Sequence, residues 1–251
     1  MSHGRDNLSD MECTCNQLLR HVVQRCSTML EMLDLETLGI IGLTLRMTLL
    51  STAISAILGI PLGLWLDKIN FKGKSFIVLI NRTLMASPPV VIGLVVYLLL
   101  MRNGPFGFMG LLFTLEAMII AQVLLLTPII CGIVFTASQR SASHIRSFAI
   151  TMGATKRQTQ VLLIKELSNE MYFAVITGFG RAMSEVGAIM IVGGNIRYHT
   201  RVMTTTISLL RNRGEIDQAI FLGVILMLIA LSIQLIAGFL RKRERQTNEN
   251  F

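Results

Sequence analysis

Charge is what this sequence has least of: Asp, Glu, Lys and Arg make up 15% of 251 residues, where a soluble domain carries about 25%. The few charges are also segregated, leaving long runs with almost none. A soluble core of this size would interrupt such runs with polar faces at helical period. Hydrophobic residues fill 52% of the chain and the mean hydropathy is +0.62, which excludes an ordinary soluble domain. Aromatics are scarce at 6%, and the basic residues behind the net charge of +8 sit beside apolar runs rather than in one patch, so nucleic acid is excluded as a partner. Signal-peptide order is missing too. Met1–Asp10 is polar, with no charged-then-apolar sequence, so targeting is expected from the apolar runs themselves.

Reactive chemistry is equally thin. The four cysteines are Cys13, Cys15, Cys26 and Cys131, with no His/Cys spacing of a zinc site; Cys131 reads as a small buried apolar residue. Gly73, Lys74 and Ser75 imitate the end of a phosphate-binding loop, but Lys68 stands where its first glycine belongs. Gly178 and Gly180 lack the third glycine of a dinucleotide fingerprint. His144 and His199 fall in separate polar stretches, and no Ser/His/Asp or metal-ligand set forms. The expectation is therefore no catalytic residue, metal or cofactor on this chain. Any uphill work draws on a partner or an ion gradient.

What the sequence does hold is apolar runs long enough to cross a bilayer as about five helices. The first falls within Leu38–Leu66, where Ser51, Ser55, Gly59 and Gly63 recur every four residues and give a helix a stripe of small side chains for close approach. Arg46 can snorkel, and Trp65 sits where an interfacial aromatic belongs. The second run, Phe76–Met101, contains Pro88 and Pro89 after Ser87, a residue suited to cap a restarting helix. From Pro88 on, the run is too short to span alone, so it reads either as a broken helix or as a Pro-kinked span. Further spans are expected at about Leu112–Ala137 with a kink at Pro128, Met171–Val192 and Ala219–Leu240. The domain reading is an N-terminal tail or surface-lying helix over 1–36, a membrane domain over 37–243 and a tail over 244–251. Within the tail, Leu18, Val22, Cys26, Met29 and Leu33 recur at helical spacing.

Lys and Arg fix the expected orientation. Asp67–Ser75, Ser138–Glu170 and the end after Leu240 hold three, five and four of them; Arg102–Leu111 and Gly193–Asp217 hold one and four. The positive-inside rule then puts the first set, and the C-terminus, in the cytoplasm. With five spans the N-terminus lies outside.

Two stretches carry functional signals. In the fourth span Arg181 and Glu185 lie four apart, and charges at membrane depth face a cavity or each other. They read as residues of a pathway or as an internal ion pair that fixes packing. Gly180, Ser184 and Ala188 form a second small-residue stripe there, and Gly193, Gly194 and Asn195 close the span with polar backbone. In the loop 138–170, Ile145, Phe148, Ala149 and Met152 form an apolar helical face, and Gly153 breaks that helix before Ala154. Thr155 and Gln158 make a capping box that opens another helix toward Glu166. An apolar face outside the membrane calls for a partner.

These residues resemble the permease subunits of ATP-binding-cassette importers. Their cytoplasmic coupling loop reads E-A-A-x3-G-x9-I-x-L-P. In that register Ala149 and Gly153 match, Leu163 takes the Ile position, and Lys165 and Glu166 replace Leu and Pro. The stretch Gly178–Ile196, GFGRAMSEVGAIMIVGGNI, with Thr200–Thr205, TRVMTT, following, is similar to the oxyanion branch and within it to tungstate permeases, with molybdate and sulfate permeases further off. Similarity covers about Leu35–Leu240, including Gly59–Gly63, Ser87–Gly93 and Gly104–Gly107. The resemblance implies an all-α type I importer permease fold, MetI-like, in the cell inner membrane, importing an oxyanion, tungstate first, with molybdate (or sulfate) as the alternative. It implies as partners a second copy of the chain, membrane lipid, a cytoplasmic ATPase carrying ATP-Mg and an extracytoplasmic oxyanion-binding protein. Coupling falls to Ile145, Phe148, Ala149, Met152, Gly153 and Ala154. The pathway candidates are Arg181, Ser184, Glu185, Asn195, Thr204 and Thr205, with the hydroxyls of Thr204 to Thr206 either lining a path or capping a helix. A stand-alone ion-coupled carrier or channel built on Arg181 and Glu185 is the alternative from another class.

Overall fold

A computed structural model describes residues 35–69 and 72–249, and all regular structure among them is helical. The expected N-terminal helix and Cys13, Cys15 and Cys26 lie outside the described residues. In chain order the helices are α1 Leu35–Lys68, α2 Lys74–Ala86, α3 Pro89–Leu100, a 3-10 turn Gly107–Met109, α4 Leu115–Thr151, α5 Lys156–Glu166, α6 Ser168–Ser184, α7 Gly187–Gly193, α8 Met203–Arg213 and α9 Ile216–Glu249. α1, α4 and α9 are each long and apolar enough to span a bilayer, and α2–α3 and α6–α7 are bent pairs. Counting each pair once gives the five spans expected from hydropathy.

α1 and α4 run parallel at the centre. Ser51, Ser55, Gly59 and Gly63 are buried against α4 as the small-residue spacing predicts. A methyl placed on Gly59 would lie 3.0 Å from Ile130 Cβ, and one on Gly63 would lie 2.8 Å from the Cys131 carbonyl oxygen. Such close approach is how helices gain dispersion contact where lipid removes the hydrophobic drive. Ser51 Oγ donates to Gln122 Oε1 at 2.6 Å, and Gln122 Nε2 donates to the Ala182 carbonyl at 3.0 Å. One buried amide therefore ties α1, α4 and α6 together. α9 is the least enclosed span, and Met227, Leu231, Leu235 and Phe239 are exposed along it.

The second span is broken, not merely kinked: α2 and α3 meet at 102°. Ser87 and Pro88 are both extended, as the residues at a Pro-Pro step must be. Ser87 ends α2 and does not cap α3; Pro88 takes that place with no side-chain bond. Asn81 Nδ2 holds α2 to α4 through the Pro128 carbonyl at 3.2 Å. Pro128 sits within α4, which runs as one helix past it and past the expected end at Ala137 to Thr151. The first helix of the 138–170 loop is thus the end of a spanning helix.

Candidate translocation and coupling sites

The fourth span departs most from its sequence reading. α6 stops at Ser184, Glu185 is extended, and α7 leaves at 59°. Arg181 and Glu185 therefore do not share a helix face, and among the described residues Arg181 has no carboxylate partner. Arg181 is exposed, while Glu185 is 5% exposed and its Oε1 accepts from the Ala188 N–H at 3.2 Å. The carboxylate caps the restarted helix, where exposed amide donors and the helix dipole both favour negative charge. The stripe of Gly180, Ser184 and Ala188 is split by the same bend. Ser184 is exposed and its hydroxyl donates to the Arg181 carbonyl at 3.0 Å, whereas Ala188 is buried against Gly93.

The two breaks pack side by side. A methyl on Gly93 would lie 2.6 Å from Ala188 Cα, and one on Gly187 would lie 2.7 Å from Val90 Cγ2. Both half-helices, α3 and α7, thus start from one region. Thr204 Oγ1 donates to the Glu185 carbonyl at 3.0 Å, which joins the start of α8 to this region. Met203 N–H donates to Thr44 Oγ1 at 3.0 Å and fixes α8 to α1. Thr205 accepts from Val202 N–H at 3.1 Å and Thr206 donates to the Val202 carbonyl at 2.7 Å. The hydroxyls of Thr205 and Thr206 therefore cap and pack α8, and only Thr204 reaches the break. Asn195 is apart from it, in left-handed backbone at φ 52°, with a buried Oδ1 that has no partner among the described residues.

At the opposite end of the bundle from Leu35, α4 turns into α5 at Gly153. Its φ of +72° is a conformation glycine adopts freely, and a Cβ there would meet no atom within 4 Å. Thr155 and Gln158 form the capping box: Thr155 N–H donates to Gln158 Oε1 at 2.8 Å, and the Thr155 hydroxyl accepts from Gln158 N–H. The apolar face divides. Ala149 is buried and Ile145, half-buried, packs against the cluster of Leu163 and Leu167, while Phe148 is 61% and Met152 73% exposed. Ala154 is half-buried, its N–H donating to the Ala149 carbonyl at 2.9 Å. One pair holds the elbow together and the other faces outward.

Sequence reasoning missed Gln122 and the network at the other end. A glutamine amid an apolar run was the available signal for the first. At the second, Glu36 accepts Arg197 Nε at 2.8 Å and Arg197 Nη2 on its other oxygen, with Arg201 Nη1 3.7 Å away. The hydrogen-bonded carboxylate raises the Arg197 pKa above its ordinary value. Four arginines on the side the positive-inside rule calls external were the signal there.

The family model described as "Binding-protein-dependent transport system inner membrane component" matches residues 59–246. The tungstate uptake system permease protein TupB of Peptoclostridium acidaminophilum is 44% identical over 80% of this chain and 88% of its own length. TupB of Campylobacter jejuni is 38% identical over 79% of this chain and 84% of its own. Permeases named for molybdenum or sulfate transport stand further off, at 24% to 26% identity. A crystal structure of an amino acid ABC transporter with histidines has the same fold, with TM-score 0.59 and 15% identity over 83% of this chain and 94% of that one.

Proposed function

The chain belongs to the binding-protein-dependent transport system inner membrane components, and from that premise we propose that it is the permease subunit of an ATP-binding-cassette importer whose cargo is tungstate. The observation that carries the cargo is the identity to two permeases named for tungstate uptake, well above that to permeases named for molybdenum or sulfate. Molybdate is the nearest rival. Two copies of the chain stand side by side in the inner membrane, elbow and C-terminus in the cytoplasm and N-terminus outside. A separate ATPase binds ATP-Mg beneath them, and an extracytoplasmic binding protein delivers the anion. In this reading the nucleotide and its Mg belong to the ATPase, and among the described residues no group of His, Cys, Asp or Glu could hold a metal ion.

The elbow is suited to coupling. Phe148 and Met152 offer the ATPase an apolar contact, while Ile145, Ala149, Gly153 and Ala154 set its shape. α4 carries 37 residues, about 55 Å of helix, from the elbow to Leu115, and α6 starts directly after α5 and ends at the Glu185 break. Displacement of the elbow on ATP binding is thereby delivered to the region where α3, α7 and α8 meet. There the exposed Arg181 guanidinium and Ser184 hydroxyl suit contact with a passing oxyanion. Glu185 and Thr204 hold the break open, and Asn195 and Thr205 support the outer approach. The test is Gly153→Asp. It should leave membrane insertion intact, since a side chain there meets no atom and Asp is among the residues that best tolerate the left-handed backbone at this turn, yet abolish ATP-driven uptake by placing a charge on the coupling surface. Full uptake by the wild-type chain without any ATPase would overturn the reading and favour a stand-alone carrier.

A further inference from the structure

At the end of the bundle opposite the elbow lies a cavity of about 540 Å³, lined among others by Glu36 of α1, Arg197 and Arg201 of the 194–202 loop, Thr206 and Arg213 of α8, and Glu215. Three guanidiniums face it against two carboxylates. Their pairing is uneven. Glu36 gives both oxygens to the Arg197 fork, leaving Arg201 a single contact at 3.7 Å. The Arg201 side chain is only 16% exposed, and its Nε is buried with no acceptor among the described residues. A largely buried guanidinium with one long ionic contact is under-compensated, and an anion entering the cavity would supply the charge it lacks. Arg213, at the last turn of α8, has no carboxylate within ion-pair distance among the described residues.

We propose that this cavity is an anion-receiving site, where an oxyanion rests on Arg201 and Arg213 between its delivery and the break at Glu185. The inference rests on the reading of the chain as an oxyanion permease. A guanidinium presents a planar fork that matches two oxygens of one anion, and a tetrahedral dianion can engage a second guanidinium with the oxygens that remain. The recess favours a small anion over an acidic protein surface, since the Arg201 side chain that lines it is only 16% exposed. Placement agrees as well. Thr206 lines the cavity, and Thr204, two residues back on α8, bonds to the Glu185 carbonyl. The arginines also account for a basic loop on the side where membrane topology disfavours one.

The experiment measures tungstate bound to the intact permease–ATPase complex in nanodiscs, without the binding protein, by equilibrium dialysis and elemental analysis. Wild-type complex should bind tungstate saturably. Arg201→Gln and Arg213→Gln should each weaken binding about tenfold, the scale of one charge-assisted contact, and Arg201→Lys should recover only part of the loss. Arg213 is on the surface, so its variant tests the site even where Arg201→Gln lowers the yield of folded complex. No saturable binding by wild type, or equal binding by both Gln variants and wild type, overturns the proposal. Equal tungstate binding with weakened capture of the loaded binding protein overturns it too, assigning the arginines to a protein contact. Arg201-dependent binding of tungstate by a complex that transports no oxyanion would sink the proposed function while leaving the anion site standing.

Discussion

Gly93→Ala probes the joint between the two broken spans. The added methyl would sit 2.6 Å from Ala188 Cα and 3.1 Å from both Ala188 Cβ and its carbonyl oxygen, in a region where carbons normally approach to about 3.5–4.0 Å. Because the obstacle is backbone, α3 and α7 must separate by about 1 Å, and overpacking of that kind costs about 1–3 kcal/mol. Detergent-solubilised protein should melt roughly 2–12 °C lower. Gly187→Ala meets Val90 Cγ2 at 2.7 Å, the end of a side chain that can rotate, so its cost is smaller, about 0.5–1.5 kcal/mol. Gly223→Ala in α9 meets nothing within 4 Å and should gain from helix propensity by up to about 1 kcal/mol. The assay pairs thermal melts with ATP-driven uptake per folded molecule, and uptake should fall most in Gly93→Ala. The reasoning is refuted if Gly93→Ala melts and transports like wild type, or if Gly223→Ala falls as far.

At the elbow, Phe148→Ala and Met152→Ala should leave the melt within about 0.5 kcal/mol of wild type, because both side chains are exposed, yet reduce the ATPase that co-purifies with the chain; unchanged co-purification would remove them from the coupling surface. Glu185→Gln keeps an acceptor for the Ala188 N–H but loses the charge at the start of α7. Its expression should hold while uptake drops, and unchanged uptake would leave the Glu185 charge without a role.

The parts of this fold that depend on local chemistry were legible in the sequence. Apolar length gave five spans; Pro88 and Pro89 placed an interruption, which the 102° bend resolves as a break rather than a kink; and Gly153 with Thr155 and Gln158 gave the elbow, since turn and cap are set by neighbours within a few residues. The second break was not legible. No proline interrupts Ser184, Glu185 and Val186, so a continuous helix and an i, i+4 pair were the natural reading; the bend depends on Gly187 fitting against Val90 and on Glu185 turning to Ala188. The division of Ile145 and Ala149 from Phe148 and Met152 likewise needed α5 folded back on α4. Glu36 and Arg197 are 161 residues apart, beyond the reach of any periodicity. Polar groups out of place were the remaining clue: Gln122 inside a span, and arginines on the external side.

The central claim is ATP-driven import of a particular oxyanion, and competitive uptake tests it most directly. Proteoliposomes holding this chain, its ATPase and the loaded binding protein should accumulate tungstate only with ATP-Mg. An excess of unlabelled tungstate should suppress the signal more than equal molybdate, and sulfate least. Accumulation without ATP, or suppression by sulfate as strong as by tungstate, would contradict the account.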